Sequence, residues 1–358
     1  MRRSIPLAVA ALAAAGITTI ATTASSSAAT TSAGASRSAD VILPPHAYAP
    51  YFETYDTTDG GLAQLAAESG AKDVSLAFLQ TDAPGSCTAY WNGDTSTPIS
   101  ATAAGSFGAD IAAIQARGGT VIPSFGGFTA DTTNTELADS CTNVSAIAQV
   151  YESLVTTYHI TRIDLDVEAD SVTNTAGIER RNEAIAQTEA WAAANHKVVQ
   201  FDYTLPVNPT GLTATGLSVI QNAAAEGAKI TEVNLLTFDY FFGTTEDMLT
   251  DAENAAVATH AQLESIYPNQ SPLALWHSIG ITVMPGIDDF GAAETFTKAQ
   301  APALLAWAAL HNLGLLSIWA LQRDNGGCVG TKGAGTCSGV AQSTWYFSHV
   351  FDLYNYLP

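Results

Sequence analysis

Three acidic residues, Asp164, Asp166 and Glu168, alternate with aliphatic residues along one short stretch of the sequence. Side chains alternate between the two faces of a β-strand, so the three carboxyls point one way and the aliphatic side chains the other. Carboxyls repeated at steps of about 7 Å cannot all ionise cheaply away from water, so at least one must have a raised pKa. A carboxylic acid that stays neutral at working pH can act as a general acid, and we predict proton transfer here.

Two other roles compete for this acidic stretch. A buried salt-bridge network would need cations, and the nearest one, Arg162, is assigned to the opposite face of the strand. A divalent-metal site would need further oxygen ligands from neighbouring strands, and Asp239 is the only nearby candidate. We favour proton transfer over both, and we expect no metal and no organic cofactor.

The acidic stretch lies in the fourth of eight predicted strands that alternate with eight predicted helices. Apolar runs bounded by Gly, Pro and polar clusters predict strands at 46–52, 73–79, 120–124, 161–167, 198–204, 230–237, 278–284 and 314–320. Helical stretches follow them at 60–69, 107–117, 144–158, 175–195, 213–226, 246–267, 298–311 and 341–356. This alternation predicts an α/β fold, a single (β/α)8 TIM barrel, with one domain over residues 40–358.

Barrel enzymes carry their chemistry at the carboxyl ends of the strands. Besides the acidic stretch, polar or aromatic residues end three predicted strands: the third at Ser124-Phe-Gly-Gly127, the sixth at Asp239 and Tyr240, and the eighth at Trp319. Only about a dozen residues, 285–297, separate the seventh strand from its helix, so we expect no inserted α+β module.

Composition excludes one class of partner. The chain has 358 residues, with 13 Lys and Arg against 34 Asp and Glu, for a formal net charge of -21. A nucleic-acid-binding protein needs a basic face, which so few cations cannot supply. We therefore expect no nucleic-acid partner.

The first 39 residues predict a secretory signal peptide followed by a flexible Ala/Ser/Thr tail. Arg2 and Arg3 precede an uncharged run from Ile5 to Ile20, and small residues follow it. The alternative is a membrane anchor, for which the run is barely long enough. Cleavage near Asp40 would remove three Arg and no acid, leaving 10 minus 34, or -24. We expect a secreted monomer with no membrane attachment after cleavage.

Four cysteines, Cys87, Cys141, Cys328 and Cys337, suit that oxidising compartment and allow three pairings. Cys328 and Cys337 enclose a short Gly-rich loop, which favours their pairing and leaves Cys87 with Cys141. A zinc site is the alternative, but the sequence has no CxxC spacing and no His near these cysteines.

The sequence motifs resemble those of glycoside hydrolase family 18 chitinases. The run Thr161-Arg-Ile-Asp-Leu-Asp-Val-Glu168 is similar to the family's DxxDxDxE signature, and Ser124-Phe-Gly-Gly127 to its SxGG motif. Trp319 matches the tryptophan that family members carry on strand 8. The run 322–328 and the cysteine-bearing loops further resemble secreted actinobacterial members.

The resemblance implies retaining, substrate-assisted hydrolysis of chitin or chitooligosaccharides, an exception to the usual two-carboxylate scheme. Glu168 would protonate the glycosidic oxygen. Asp166 would orient the substrate's 2-acetamido group and stabilise the oxazolinium ion, and Asp164 would share a proton with Asp166. The short connection at 285–297 implies an open groove and an endo mode of attack.

The sequence departs from the family pattern at two places. Thr161 replaces the first Asp of the signature, far from the expected scissile bond. The strand-6 motif, usually Met-x-Tyr-Asp, reads Leu-Thr-Phe238-Asp239, so the phenol that binds the acetamido oxygen is missing. Our hypothesis is that Tyr240 or Tyr203 supplies a hydroxyl instead, with Asp239 also binding substrate.

Sugar rings stack on aromatic side chains, so an aromatic residue in a cleft can form a sugar subsite. Trp319 is the best candidate, and Tyr51 and Trp91 are weaker ones. Two other functions remain open: an endo-β-N-acetylglucosaminidase acting on N-glycans, and an inactive chitin-binding lectin on the same barrel. The presence of Glu168 favours an enzyme, whereas Phe238 keeps the lectin in view.

Overall fold

A computed structural model describes residues 42–357 of the chain. The predicted signal peptide and tail, residues 1–39, lie outside the described residues, and their processing remains a prediction. Within the described part, no helix is long and apolar enough to cross a membrane.

Eight parallel strands form a closed barrel, as the sequence predicts. The first strand is in two segments, one pairing with the last strand and the other with the second, and this closes the cylinder. The strands are β1 (Ala47–Tyr48 and Tyr51–Glu53), β2 (Val74–Thr81), β3 (Val121–Gly126), β4 (Arg162–Asp166), β5 (Gln200–Asn208), β6 (Ile230–Leu236), β7 (Ile279–Val283) and β8 (Leu315–Ile318).

Helices surround the barrel and connect its strands. They are α1 (Leu62–Ser69), α2 (Gly108–Ala116), α3 (Gly127–Thr133), α4 (Leu137–Ser140), α5 (Val144–Tyr158), α6 (Thr175–Ala194), α7 (Ala214–Glu226), α8 (Met248–Ile266), α9 (Pro272–His277), α10 (Gln300–His311) and α11 (Tyr346–Phe351). Seven of the eight predicted helices begin and end within two residues of an observed one. The eighth is shorter than predicted, because 341–345 is loop and 352–356 is a 3-10 turn.

The helix α5 shows how the outer layer is built. The Asn143 side chain accepts a hydrogen bond from the Ala146 amide and caps the first turn, and His159 ends the helix in a left-handed conformation. Its buried Tyr151 ring packs edge-on against Phe125 of β3 and Phe201 of β5. The outward faces of the strands therefore form one apolar core with the inward stripes of the helices.

Arg162 lies inside the barrel, which corrects the sequence-based assignment to the outer face. It shares even parity with Asp164 along β4, so both side chains point inward. Its Nη1 lies 3.1 Å from Glu232 Oε2 and 3.4 Å from Asp202 Oδ2. A buried ion-pair network therefore does exist, one layer below the three acids.

Among the elements that were not predicted are two small antiparallel pairings at the mouth of the barrel. The connection after β7 folds into an antiparallel hairpin, Gly286–Asp288 with Gly291–Phe296, and Ala89–Trp91 pairs antiparallel with the end of β2. The first is too short to be an inserted module, so the prediction of a barrel without an α+β insertion is confirmed.

Both predicted disulfides form. Cys87 and Cys141 join the loop after β2 to the end of α4, with Cα atoms 4.7 Å apart. Cys328 and Cys337 close the loop after β8, with Cα atoms 5.9 Å apart. Each bridge holds a loop at the carboxyl end of the barrel.

We expect Arg162→Met to destabilise the fold by about 3–5 kcal/mol, because it leaves Asp202 and Glu232 buried without their cation. Urea unfolding measures the change. Arg117→Met, the same substitution at an exposed arginine, should change the free energy of unfolding by less than about 1 kcal/mol. Equal losses in the two variants would contradict the role given to the buried pair.

Candidate active site

A cleft of about 660 Å³ opens at the carboxyl ends of the strands. Asp166 and Glu168 line its floor beside Gly126. Aromatic side chains line the walls: Tyr55, Phe78, Phe128, Phe238, Phe290 and Trp319. This is where a barrel of this kind places its chemistry, and the acidic stretch predicted from the sequence lies at its centre.

Asp164 is the deepest of the three acids and is fully hydrogen-bonded. Its Oδ2 accepts from Tyr51 Oη at 2.9 Å and Ser124 Oγ at 2.6 Å, and its Oδ1 accepts from Thr204 Oγ1 at 2.7 Å. Burial raises the pKa of Asp164, and the three hydroxyls oppose that rise. These donors stabilise the charged form, so Asp164 is equipped to carry a negative charge inside the barrel.

Asp166, in the middle, is 2% exposed, and its Oδ1 has no hydrogen-bond partner among the described residues. Burial raises its pKa well above the usual value, and the charges of Glu168, Asp164 and Asp131 raise it further. A proton is therefore held at Asp166 when its neighbours are charged. The raised pKa predicted from the spacing of the acids is present.

Glu168 is the least buried of the three acids. Burial raises its pKa to about 7, and a backbone hydrogen bond from Phe128 opposes the rise. A carboxyl with a pKa near neutrality can donate a proton and later take one back. Glu168 thus has the position and the proton affinity of a general acid.

The SxGG segment at the end of β3 shapes the floor. Gly126 and Gly127 both have positive φ, 94° and 78°. A β-carbon on Gly126 would collide with the Asp166 carbonyl oxygen, and one on Gly127 with the Phe78 ring. Glycine is needed at both positions because φ is positive there and the backbone packs directly on Asp166 and on the Phe78 ring.

Asp131 supports the acids from below and was missed by sequence reasoning. Its Oδ2 accepts the Glu168 amide at 2.5 Å, and burial, with the charge of Glu136 next, raises its pKa to about 9. Behind it, Arg181 pairs with Glu136 at 2.6 Å. Asp131 lies on α3, one helical turn after Gly127. Nothing in the sequence showed that its side chain points toward the acids.

Three of the predicted substrate-binding residues do line the cleft: Trp319, Phe238 and Asp239. The Trp319 indole stacks on Phe78, with ring centroids 5.4 Å apart and an interplanar angle of 19°. Asp239 Oδ1 accepts the Asp289 amide at 3.1 Å, and burial followed by the charges of Asp289 and Asp288 raises its pKa to about 8.

Tyr203 and Tyr240 do not face the cleft, so the hypothesis that either replaces the missing phenol is wrong. Tyr203 points outward because its neighbours Asp202 and Thr204 point inward, and its hydroxyl donates to Asn182 of α6 at 2.7 Å. Tyr240 is 8% exposed and stacks on Phe242, outside the cleft lining.

Tyr51 and Trp91 are not sugar platforms either. Tyr51 is 1% exposed and serves Asp164 through its hydroxyl, beneath Trp319. Trp91 is also 1% exposed, packs edge-on against Phe107 and donates its indole N–H to Tyr158 Oη at 3.4 Å. Both are too deeply buried to contact a ligand in the cleft.

Several cleft residues carried no sequence signal. Glu53 ends β1 and Tyr55 follows it. Asp289 and Phe290 form the tip of the hairpin, and Arg323 follows β8. They meet only because the loops of a closed barrel converge at one end. Among the described residues, no group of three or more His, Cys, Asp or Glu is arranged to hold a metal ion.

Comparison with known proteins gives a consistent result. No family model matches the chain. It is 32% identical over 289 residues to a probable bifunctional chitinase/lysozyme of Escherichia coli K12, covering 78% of this chain and 31% of that protein. It is 32% identical over 290 residues to endochitinase 11 of Metarhizium anisopliae, covering 78% and 53%. The chain therefore spans about a third to a half of these relatives.

Among solved structures, the chain is similar to catalytic-site mutants of active domain 2 of a thermostable chitinase from Pyrococcus furiosus, complexed with chito-oligosaccharides. The two share 27% sequence identity with a TM-score of 0.77, over 88% of this chain and 96% of that one.

A closed parallel barrel with a column of carboxyls at its open end has the acidic groups that glycoside hydrolysis uses. In sequence and in fold the chain is similar to chitinases and their catalytic domains, in agreement with the resemblance of its DxDxE and SxGG motifs to those of glycoside hydrolase family 18.

We expect Tyr240→Phe and Tyr203→Phe to keep turnover within about twofold, because neither hydroxyl reaches the cleft. Tyr203→Phe leaves the buried Asn182 carbonyl oxygen without its donor, which costs about 1–3 kcal/mol of stability. Initial rates on chitooligosaccharides and urea unfolding measure the two effects. A large loss of turnover in a variant that unfolds normally would restore the tyrosine to the site.

Proposed function

We propose that this protein is an endo-acting chitinase that hydrolyses β-1,4-linked N-acetylglucosamine polymers with retention of configuration. One observation carries the proposal: a carboxyl with a pKa of about 7, Glu168, lies at an open cleft directly above a second, proton-holding carboxyl, Asp166. A single acid next to a residue that can orient an amide is what substrate-assisted hydrolysis requires.

In the first step, Glu168 gives its proton to the glycosidic oxygen and the bond from that oxygen to the anomeric carbon breaks. The carbonyl oxygen of the substrate's 2-acetamido group forms a bond to the same carbon, which yields an oxazolinium ion. In the second step, the oxygen of a water molecule attacks the anomeric carbon, Glu168 takes a proton from that water, and the bond between the anomeric carbon and the acetamido oxygen breaks, which restores the acetamido group. The two inversions give net retention.

Asp166 orients the acetamido N–H and balances the positive charge that develops on the oxazolinium ion. Its Oδ1 is available for this, since it has no partner among the described residues. Asp164 lies one step below and is held by three hydroxyl donors. A proton shared between Asp164 and Asp166 lets Asp166 become anionic when substrate charge appears.

Phe238 removes the phenol that family members use on the acetamido oxygen. With Tyr203 and Tyr240 directed elsewhere, the acetamido group meets an apolar ring at this position, and its orientation rests on Asp166 and Asp239. A ring contact without a hydrogen bond lowers the rate relative to a site with a phenol but leaves the acid and the orienting carboxyl in place.

The relatives support this substrate class. Two curated relatives are named as chitinases, and the Pyrococcus furiosus domain is similar over nearly all of its length and binds chito-oligosaccharides. The connection after β7 is a short hairpin with no inserted module to cover the cleft, which favours endo cleavage. Trp319 in the cleft wall is the platform for a sugar ring.

We propose the following organisation for the whole chain. Residues 1–39 direct secretion and are removed, residues 40–358 form the catalytic domain, and the protein acts outside the cell as a monomer of the secreted actinobacterial type. Two disulfides suit that compartment. Chitin and its oligosaccharides are the partners, with no nucleic acid and no membrane.

We expect Glu168→Gln to lower the release of soluble oligosaccharides from colloidal chitin by at least about a hundredfold, since the amide cannot donate the proton. Chitin binding should be retained, because the substitution preserves shape. Activity that survived in Glu168→Gln would overturn the acid assignment.

Two further assays in the same experiment separate the alternatives. Release of sugar from an N-glycoprotein would favour the endo-β-N-acetylglucosaminidase. Binding of chitin by the wild type without turnover would favour the lectin. Loss of activity in the presence of a chelator would favour a divalent-metal site formed by the acidic residues.

The pH dependence of kcat/KM should fall as pH rises through about 7. Glu168 must be protonated to act, its pKa is raised to about 7 in the folded protein, and the proton is lost above that value. Initial rates on a soluble chitooligosaccharide from acid to alkaline pH measure this limb. A plateau that continued well into the alkaline range would contradict Glu168 as the acid.

A further inference from the structure

One wall of the cleft carries more carboxyls than the proposed reaction uses. Glu53 of β1 and the hairpin residue Asp289 line it together with Asp239. None of these side chains belongs to the column formed by Asp164, Asp166 and Glu168. A polymer made only of N-acetylglucosamine is neutral, so it offers these carboxyls hydroxyl and amide donors but no positive charge.

Glu53 is the informative member of this acidic wall, which consists of Glu53, Asp239 and Asp289. Its residue is 5% exposed, and its Oε1 accepts the Tyr55 hydroxyl at 2.5 Å. Its Oε2 is buried in the lining of the cleft and has no hydrogen-bond partner among the described residues. A buried carboxylate oxygen without a donor is costly, and it is explained when a ligand supplies the donor.

The nearest cation, Arg323, also lines the cleft, and it acts on Glu53, Asp239 and Asp289 through its charge without forming an ion pair with them. The Arg323 guanidinium donates to the backbone carbonyls of Ala334, Pro285 and Ile287, and so ties the hairpin to the loop after β8. Among the ion pairs of the described residues, none joins Arg323 to a carboxyl. Lys332 is exposed beside Gly291, on the rim rather than in the cleft lining.

The proposed chitinase activity limits the chemical groups of a ligand that could donate a hydrogen bond to Glu53 Oε2. Removal of the acetyl group from one sugar of chitin leaves a primary amine, which is an ammonium at weakly acidic pH. An ammonium brings three hydrogen-bond donors and a positive charge. An acetamido group brings one donor and no charge. Charge-assisted hydrogen bonds are about twice as strong as neutral ones.

We propose that Glu53, with Asp289 and Asp239 beside it, forms a subsite that selects a glucosamine unit, so that partly deacetylated chitin is the preferred substrate. This inference rests on the proposed function and deepens it. The acetamido group is still required over Asp166, where the chemistry takes place. The selected glucosamine therefore occupies a neighbouring position in the cleft.

Binding to the inactive Glu168→Gln protein tests the inference without turnover. Calorimetry compares a partly deacetylated chitooligosaccharide with the fully acetylated one of equal length. We expect Glu168→Gln to bind the deacetylated sugar more tightly, and Glu168→Gln/Glu53→Gln to lose roughly tenfold of that preference, which corresponds to about 1.4 kcal/mol. High salt should weaken the preference in the first protein.

Two further variants are compared in the same background. Glu264→Gln is the matched control, and Asp289→Asn changes a second residue of the acidic wall. Glu264 is exposed on the outer face of α8, so its loss of charge should leave the preference unchanged. Asp289→Asn, at an exposed hairpin position, should lower the preference in the same direction as Glu53→Gln. Asp289→Asn decides the question if Glu53→Gln does not fold.

The outcomes separate clearly. An equal loss of affinity for both sugars would make Glu53 a general sugar contact and overturn the selection of glucosamine, as would no loss at all. Failure of the proposed chitinase activity would appear elsewhere, as absence of turnover by the wild type on the fully acetylated sugar. Sequencing the products of wild-type digestion of partly acetylated chitosan should show glucosamine enriched at one position flanking the cut.

Discussion

The cost of placing several carboxyls inside one barrel governs the structure of the site. Asp164, Asp166 and Glu168 rise along a single strand at alternate positions, with their side chains on its inner face. They cannot all be charged, so protons must be shared among them. That constraint helps to hold a proton at Asp166, and burial raises the pKa of Glu168 to about 7. The donors to Asp164 are accordingly hydroxyls rather than cations.

The rest of the barrel manages this charge in layers. At the bottom, Arg162 pairs with Asp202 and Glu232, so cationic compensation is kept away from the reacting carboxyls. In the middle, three hydroxyls solvate Asp164 without neutralising it. A guanidinium beside Asp166 would lower its pKa and remove the proton that the mechanism needs.

The loops at the mouth add a second use of acidic residues. Buried Glu294 accepts the amides of Tyr240, Phe241 and Phe242, and Asp288 accepts those of Asp239, Phe290 and Gly291. These bonds tie the loop after β6 to the hairpin after β7. The hairpin is thus a rigid wall, and the carboxyls that it and β1 present to the cleft keep fixed positions.

Patterns that depend on local geometry were predictable. The eight strands and their order followed from apolar runs and turn residues, because strand and helix periods are properties of neighbouring positions. The acidic column followed from parity along one strand, and the glycines at 126 and 127 from the motif that contains them. The same parity rule places Arg162 inside the barrel, so its sequence-based assignment to the outer face was wrong.

What depends on distant parts of the chain was not predictable. Whether Tyr51 or Tyr203 faces the barrel interior is decided by the register of each strand against its neighbours, which one residue can reverse. Asp131, Glu53 and Asp289 come to the site from helix α3, the end of β1 and the hairpin after β7. The sequence by itself thus determined the fold class and the column of acids that contains the proposed acid, Glu168. Only the closure of the barrel decided which side chains surround that acid, because closure brings the ends of eight strands to one place.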